Sequence, residues 1–237
     1  MNLVLLFDED FISDQLVKLT DRRFQHIATI HRAQIGDQLT VGKLNGNIGK
    51  GTVVQLDSQS VSLNVELTSA PPAALPLTLI LALPRPQMLK RTLQTIATMG
   101  VKRLLLIHSR RVEKSFWQTP LLTENSIREN LFLGLEQARD TVLPHIEFHQ
   151  KFKPLAETVA PELARQSRAL VAHPGPYSPC PTNLNEPVTL AIGPEGGFIE
   201  YEIEQLQLAG FTPVSLGERI LRVETAVPVL LAKLFNS

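Results

Sequence analysis

The sequence has little cysteine, and this shortage excludes two kinds of structural site. Cys180 is the only cysteine among 237 residues, so an internal disulfide and a cysteine-rich zinc site are both excluded. No apolar run reaches the roughly 18 residues that a transmembrane helix needs. The first residues, MNLVLLFDEDF, lack the basic segment of a secretory signal. We therefore expect a cytoplasmic protein that makes no membrane contact and holds no metal.

The sequence also lacks net charge, because 23 lysines and arginines balance 23 aspartates and glutamates. These charges are nevertheless segregated along the chain. Residues 85–114 contain eight basic residues and one acidic residue, whereas residues 186–224 contain seven glutamates and two arginines. A local basic face can hold a polyanion even when the whole chain is neutral. The basic segment is therefore either a nucleic-acid-binding face or a solvated helix face.

The residue pattern changes near residue 70, which predicts two domains. Residues 39–67 alternate apolar and polar residues around Asn-Gly and Gly-Lys-Gly turns, as expected for the hairpins of a small β-barrel. Residues 68–76, TSAPPAALP, show no period and are predicted to form a linker. We therefore predict a first domain over residues 1–70 and a second domain over residues 71–237.

The second part of the chain alternates apolar runs with segments of helical spacing, a pattern typical of an α/β sheet with helices on both faces. The run LTLILAL at residues 77–83 is continuous, as expected for a buried parallel strand. Further strands are predicted at residues 103–108, 168–174, 188–193 and 212–217. Helices are predicted at residues 88–99, 126–139 and 200–208.

A glycine-rich turn, GPEGG at residues 193–197, lies between a predicted strand and a predicted helix. Glycines at the carboxyl end of a strand let the backbone approach a bulky ligand, and α/β sheets bind ligands outside those ends. A phosphate loop is excluded because the lysine–serine/threonine pair is missing. A dinucleotide fingerprint is disfavoured because Pro194 and Glu195 break its spacing. A tight turn that binds nothing is the remaining alternative.

A second loop, LGERILRVETA at residues 216–226, also follows a predicted strand, and the two loops could form one pocket. Together the two motifs resemble the C-terminal signature of the RsmE family, which belongs to the SPOUT superfamily of knotted methyltransferases. Residues 26–39 resemble the N-terminal PUA-like barrel of that family. Residues 81–111 resemble the first strand, helix and strand of its catalytic domain.

The resemblance implies an α/β fold in which a SPOUT-type parallel sheet with a trefoil knot follows a PUA-like β-barrel domain. It also implies a homodimer that uses S-adenosylmethionine to methylate N3 of a uridine in the 16S ribosomal RNA of the small subunit. A sulfonium cation tolerates the nearby glutamates, which would repel a phosphate. The residues that the resemblance assigns to the cofactor are Ala172, His173, Pro174, Ile192, Gly193, Glu195, Gly196, Gly197, Leu216, Gly217, Ile220 and Leu221. For His173 alone, a satisfied structural histidine is the more expected role.

Arg222 and Glu224, in the LRVET stretch beside the predicted pocket, are the expected catalytic residues. Loss of the uridine N3 proton leaves an anion that Arg222 would stabilise, while Glu224 would orient Arg222 or accept the proton. An ion pair at a helix N-terminus with no part in the chemistry is the alternative. The RNA backbone is expected to follow one basic track, made of Arg22, Arg23, Arg32, Arg85, Lys90 and Arg111.

The sequence departs from the family pattern at several positions. Val223 replaces the usual threonine, and Ile199 replaces the serine that caps the following helix, which would remove about 1 kcal/mol of stabilisation. The alternative functions are therefore an RNA-binding or ribosome-assembly protein that kept the fold, a methyltransferase of a different RNA, and an enzyme that binds another adenosine ligand. If the chain dimerises as the family does, the apolar residues of the last helix are expected to be buried at or near the two-fold interface, and a core helix within one chain is the alternative. These are Val229, Leu230, Leu234 and Phe235.

Overall fold

The computed structural model describes residues 2–235, and the chain divides into two compact units. The first unit comprises the chain up to Ala73 together with Phe132–Leu143. The second unit comprises Ala74–Leu131 and the residues from Pro144 onward. The boundary predicted near residue 70 lies close to the first division. The return of residues 132–143 to the first unit was not predicted, because the helical pattern there is continuous.

Six strands form the sheet of the first unit. They are β1 (Val4–Leu6), β2 (Phe11–Ser13), β3 (Leu16–Leu19), β4 (Gln38–Lys43), β5 (Ile48–Leu56) and β6 (Val61–Ser69). Their spatial order is β1-β4-β5-β6-β3-β2, in which β1 pairs with β4 in parallel and the other pairs are antiparallel. The predicted Asn-Gly turn joins β4 to β5, with Asn45 at a φ of 57°. The hairpins predicted at residues 39–67 are thus confirmed, whereas a closed PUA-like barrel stays a prediction.

A short helical segment packs onto this sheet and closes its core. It consists of α1 (Arg22–His26) and a π-helical turn (Ile27–His31). The Asp21 side chain begins α1 by accepting the Arg23 main-chain N–H at 2.9 Å, which satisfies one of the free donors of the first turn. Phe24 and Ile27 are buried against apolar side chains of the strands. Burial of this face holds the segment in place, since a helix this short is not stable alone.

Arg23 lies inside the first unit and is 4% exposed. Its Nη1 donates to the carbonyl oxygen of Leu5 and to Asp10, both at 2.6 Å, and Nη2 donates to Asp10 at 2.7 Å. Its Nε donates to Asp21 at 3.0 Å. All three guanidinium nitrogens are therefore engaged within the protein, and none can meet a phosphate. The prediction that Arg23 contacts RNA is wrong, because sequence alone does not distinguish a buried arginine from an exposed one.

Arg22 and Arg32 lie nearer the surface of the first unit. The Arg22 guanidinium donates to both carboxylate oxygens of Glu136, at 2.9 and 3.1 Å, and so ties α1 to the returning segment 132–143. Burial raises the pKa of Glu136, and the hydrogen bonds and charge of Arg22 oppose that rise. Arg32 is exposed and ends the helical segment in a left-handed conformation, with a φ of 52°. Arg22 and Arg32 therefore stay in the set proposed to contact RNA.

Replacing Arg23 by alanine should destabilise the first unit by about 3–5 kcal/mol, because it leaves the Asp10 carboxylate buried without its partner. Urea denaturation followed by far-UV circular dichroism measures this change. Trp117, the single tryptophan, lies in the second unit, so its fluorescence follows that unit separately. The control, Arg32→Ala, removes the same charge from an exposed site and should change stability by less than about 0.5 kcal/mol. Equal effects of the two replacements would contradict the structural role of Arg23.

Seven strands form the sheet of the second unit. They are β7 (Leu77–Ala82), β8 (Arg103–Ile107), β9 (His145–His149), β10 (Arg168–Ala172), β11 (Ser178–Pro179), β12 (Val188–Ile192) and β13 (Thr212–Ser215). Their spatial order is β11-β13-β10-β12-β7-β8-β9, and every pair is parallel. The predicted α/β fold with a parallel sheet is confirmed. The edge strand β9 was missed because its sequence, HIEFH, is half polar and contains no apolar run.

The helices predicted from strong helical spacing are all present in the structure. The helices that follow α1 are α2 (Pro86–Thr98), α3 (Glu124–Ala138), α4 (Phe152–Pro154), α5 (Ala160–Gln166), α6 (Glu200–Leu208) and α7 (Val223–Leu234). The prediction missed α4 and α5, which flank a π-helical turn at Leu155–Val159. Among residues 2–235, none of the helices combines the length and apolar character that crossing a membrane requires.

The last helix packs within the second unit. Leu230 and Leu234 are fully buried and Phe235 is 4% exposed, whereas Val229 is 40% exposed. The end of α7 is also held by the segment before β12, where the Leu184 N–H donates to the Leu234 carbonyl oxygen at 2.7 Å. Three of the four residues expected at a dimer interface therefore belong to the core of the chain itself. Their burial agrees with the alternative of a core helix within one chain, and a nearby dimer interface stays a prediction.

Candidate binding cleft at the sheet edge

The parallel register brings the ends of three strands to one edge of the second sheet. Ala172 of β10 lies opposite Ile192 of β12 on one side and Val214 of β13 on the other. The loops that leave these strands therefore begin side by side. Two of these loops are the GPEGG turn (193–197) and the segment 216–222, which the sequence had singled out separately.

A cleft of about 620 Å³, counting its open mouth, lies between these loops and the first turns of α7. Every residue that the sequence resemblance assigned to the cofactor lines it, with the exception of Gly196. Pro194, inside the GPEGG turn, also lines the cleft, and five residues that were not predicted complete the lining: Val214, Arg219, Val223, Ala226 and Leu230. Most of these are apolar and come from strand ends and from α7, so their sequence context marked them only as core residues.

The glycines of the two loops serve different physical needs. Gly197 adopts a φ of +73° and its N–H donates to the Pro194 carbonyl oxygen at 2.7 Å, which closes the turn. A Cβ at Gly193 would lie 2.8 Å from the main-chain nitrogen of Phe198, so a side chain there would clash. Gly217 adopts a φ of +108° in open space, so it is glycine for its backbone conformation alone. Exposed main chain thus forms part of the cleft wall.

Glu195 brings negative charge to the cleft wall. Its carboxylate accepts the Arg85 main-chain N–H at 3.3 Å, and the Arg85 Nε lies 3.9 Å away. This contact joins the GPEGG turn to the loop between β7 and α2. Arg85, which was predicted to contact RNA, keeps its side chain 65% exposed and so remains accessible to a phosphate.

His173 has an unpaired polar atom at the cleft. Its Nδ1 is buried and has no hydrogen-bond partner among residues 2–235. Burial lowers the pKa of His173, and the positive charge of Arg111 lowers it further. The expectation of a satisfied structural histidine is therefore wrong, because a satisfied ring would have both nitrogens paired. A polar group of a bound ligand would supply the missing partner.

The predicted catalytic pair does not line the cleft. Arg222 is exposed and immediately precedes α7, where its carbonyl oxygen accepts the N–H of Thr225 at 3.0 Å. Leu221 and Val223, on either side of Arg222, do line the cleft, as does Arg219. Arg219 is therefore the cation that the structure places in the cleft wall. Arg219 was not predicted, because a loop carries no periodicity that shows which side chains point inward.

Two more residues of the predicted RNA track belong to the second unit. Lys90 is exposed on α2. Arg111 donates a hydrogen bond from Nη1 to the carbonyl oxygen of Gly196, at the back of the GPEGG turn. Within residues 2–235, no group of three or more histidine, cysteine, aspartate or glutamate side chains is arranged to hold a metal ion.

Comparison with known proteins identifies relatives over almost the whole chain. The family model described as an RNA methyltransferase domain matches residues 71–235. The ribosomal RNA small subunit methyltransferase E of Treponema pallidum is 26% identical over 236 residues, which cover 95% of this chain and 87% of that protein. The resemblance to that family, drawn from the glycine-rich motifs, is confirmed.

Two solved structures share the fold, each with a TM-score of 0.73. One is a putative methyltransferase from Legionella pneumophila in complex with the cofactor SAM; it is 22% identical, and the match covers 98% of this chain and 95% of that one. The other is a ribosomal RNA small subunit methyltransferase E from Neisseria gonorrhoeae bound to S-adenosyl methionine. It is 21% identical, with 97% of this chain and 95% of that chain covered. At these identities the likeness establishes the fold of the chain.

The protonation of His173 gives a direct test of the cleft geometry. We expect its pKa to lie below the ordinary value of 6.5, so that the ring is neutral at pH 7. Below about pH 6.5 the unfolded chain then binds a proton that the folded protein takes up only at lower pH, so stability falls as the pH falls. A histidine NMR titration, assigned by comparison with His173→Gln, measures the pKa. A value at or above 6.5 would show that the ring is not buried beside Arg111.

Proposed function

We propose that this chain, which belongs to the RNA methyltransferase domain family, transfers a methyl group from S-adenosylmethionine to N3 of a uridine in 16S ribosomal RNA. The observation that carries the proposal is the coincidence of two independent results. The residues that the family resemblance assigns to the cofactor are, apart from Gly196, residues that line the cleft. Relatives named as ribosomal RNA small subunit methyltransferases, among them one bound to S-adenosyl methionine, support the same function.

The chemistry of the cleft fits this cofactor. S-adenosylmethionine supplies a methyl group on a cationic sulfonium. Apolar side chains such as Ile192 and Leu216, with the glycine backbone between them, suit a flat adenine, and the unpaired Nδ1 of His173 suits one of its polar groups. The Glu195 carboxylate favours a cation and would repel a pyrophosphate, which argues against the alternative of a dinucleotide enzyme.

The reaction on the uridine needs a cation more than it needs a strong base. The N3 proton must leave, and a guanidinium near the base stabilises the anion that remains. Arg219 lies in the cleft wall, and Arg222 lies three residues further on at the start of α7. We therefore assign the stabilising role to Arg219 first and to Arg222 second, and Glu224 is proposed to orient Arg222 or to accept the N3 proton. The target base has to be unpaired or flipped out to reach the cleft.

Contacts with RNA are proposed for the exposed basic residues of each unit. These are Arg22 and Arg32 in the first unit and Arg85 and Lys90 in the second. Each would neutralise a phosphate and release counterions, so RNA binding should weaken as salt increases. We propose that the first unit is a PUA-like barrel that binds RNA. We also propose that the chain around the cofactor cleft forms a trefoil knot.

A homodimer is proposed from the apolar surface beside the cleft. Ile220 is 78% exposed although it lines the cleft, and Val229 on α7 is 40% exposed. Exposed apolar side chains next to a binding site are typical of a surface that another protein covers. A second copy of the chain related by a two-fold axis would cover both residues.

Replacing Gly197 by alanine should weaken S-adenosylmethionine binding about five- to thirtyfold, because a left-handed φ costs a non-glycine residue roughly 1–2 kcal/mol. The new Cβ would also lie 3.4 Å from Cε1 of His173. Titration calorimetry measures the affinity. The control, Gly46→Ala, changes a glycine of the first unit that has room for a Cβ and should leave the affinity unchanged. Binding of NAD in place of S-adenosylmethionine by the unmodified protein would overturn the proposed cofactor.

Turnover of two arginine variants tests whether Arg219, which lines the cleft, or Arg222, which the sequence predicted, stabilises the uridine anion. Arg219→Ala should lower kcat about a hundredfold or more, because the anion loses its nearest cation, while RNA affinity changes less than about threefold. Arg222→Ala should lower kcat much less. Methyl transfer to small-subunit RNA and filter binding of the same RNA provide the two measurements. If Arg222→Ala abolished turnover and Arg219→Ala did not, the assignment of Arg219 would be wrong.

A further inference from the structure

The loop after β8 reaches across the sheet edge to the GPEGG turn. In the sheet, β8 pairs with β7 and β7 pairs with β12, all in parallel, so the loops after β8 and β12 leave the same edge. Residues 108–112 follow β8, and residues 193–197 follow β12. By sequence, the first loop belongs to the basic segment 85–114 and the second to the predicted cofactor site. The structure places the two in direct contact.

Arg111 makes the closest of these contacts. Its Nη1 donates to the carbonyl oxygen of Gly196, and its aliphatic part lies over the same residue. A Cβ at position 196 would be 2.9 Å from Cδ of Arg111, so a side chain there would displace the arginine from its present position. The guanidinium also lies beside Gly197, where Nη1 would be 3.9 Å from a Cβ. Arg111 therefore covers the outer side of the turn whose inner side lines the cleft.

Glu202 of α6 holds the two loops together beneath Arg111. It is 3% exposed, so its contacts are protected from water. One carboxylate oxygen accepts the Arg110 main-chain N–H at 2.7 Å, and the other accepts the Ile199 N–H at 3.0 Å. These bonds fix the loop after β8 against the start of α6. The bond from Ile199 also satisfies the main-chain donor that precedes α6, although the side-chain cap that Ile199 cannot provide is still missing.

We propose that Arg111 is a positioning residue that holds the GPEGG turn in the conformation that binds the cofactor, and that it is not a contact for the RNA backbone. The proposal rests on the proposed function, since it assumes that the cleft binds S-adenosylmethionine. Gly196, the one predicted cofactor residue that does not line the cleft, has a defined role in this arrangement. It carries the carbonyl oxygen that Arg111 holds and leaves space for its side chain.

The physical reason for such a residue is the glycine content of the turn. Glycine has more conformational freedom than any other residue, so a turn with three glycines loses much entropy when it becomes ordered around a ligand. A charge-assisted hydrogen bond from outside orders the turn before the ligand arrives. Less ordering then remains to be done on binding, and the affinity rises without any new contact to the ligand.

The neighbouring arginine provides a matched control. Arg110 is also exposed, but it contributes its main-chain N–H to Glu202, and that bond survives truncation of the side chain. Arg111→Ala should weaken S-adenosylmethionine binding about tenfold or more, whereas Arg110→Ala should change it less than twofold. Arg111→Lys keeps a cationic donor on a flexible stem and should recover part of the loss. In steady-state kinetics, the KM for the cofactor should rise in Arg111→Ala while the KM for RNA stays the same.

Hydrogen exchange on the ligand-free protein tests the same idea without the cofactor. The Gly197 and Ile199 amides are bonded within the turn and to Glu202, and both should exchange faster in Arg111→Ala than in Arg110→Ala. If the unmodified protein failed to bind S-adenosylmethionine but the exchange pattern held, the proposed function would fall and the positioning of the turn would stand. If Arg111→Ala bound the cofactor normally and instead lowered both RNA affinity and its salt dependence, Arg111 would be an RNA contact and the inference would be overturned.

Discussion

The parallel pairing of β10, β12 and β13 is the constraint on which the cleft depends. Because Ala172, Ile192 and Val214 share one register, the chain leaves three strands at the same edge and at the same height. Loops separated by about 20 residues or more along the chain thereby become the walls of one cavity. A slip of one residue in any of these strands would turn its buried side chains to the opposite face of the sheet. The register thus explains why the buried, apolar strand sequences determine the site as much as the loops do.

The charges around the cleft follow a consistent arrangement although the chain as a whole is neutral. Carboxylates accept hydrogen bonds from main-chain N–H groups: Glu195 accepts the Arg85 N–H, and Glu202 accepts the Arg110 N–H. Arginine side chains either hold the main chain, as Arg111 does, or remain exposed, as Arg219 does in the cleft wall and Arg222 does next to it. The basic and acidic segments, which are separate along the sequence, are thus in contact in the fold. Part of the basic segment 85–114 therefore holds the acidic segment 186–224 in place.

Much of the second unit could be predicted from sequence because its strands are short apolar runs and its longer helices have clear spacing. The two glycine-bearing loops were recognisable because few other sequences combine a strand with that pattern of glycines. The roles of individual arginines were much harder to predict. Arg23, Arg111 and Arg222 all lie in polar stretches, yet the first is buried, the second supports a turn and the third is exposed at a helix start. Burial and partner depend on residues far away in the chain, such as Asp10 or Gly196, and no local pattern encodes them.

The claim that methyl transfer occurs at a uridine N3 is central to the account, and nucleoside mass spectrometry after methylation in vitro tests it most directly. Purified protein, S-adenosylmethionine carrying a heavy-isotope methyl group, and small ribosomal subunits from cells that lack this activity would be incubated together. The ribosomal RNA would then be digested to nucleosides. The account predicts that the heavy label appears in N3-methyluridine from the 16S RNA. Label in a ribose methyl group or in a different base, or no label in the RNA at all, would contradict it.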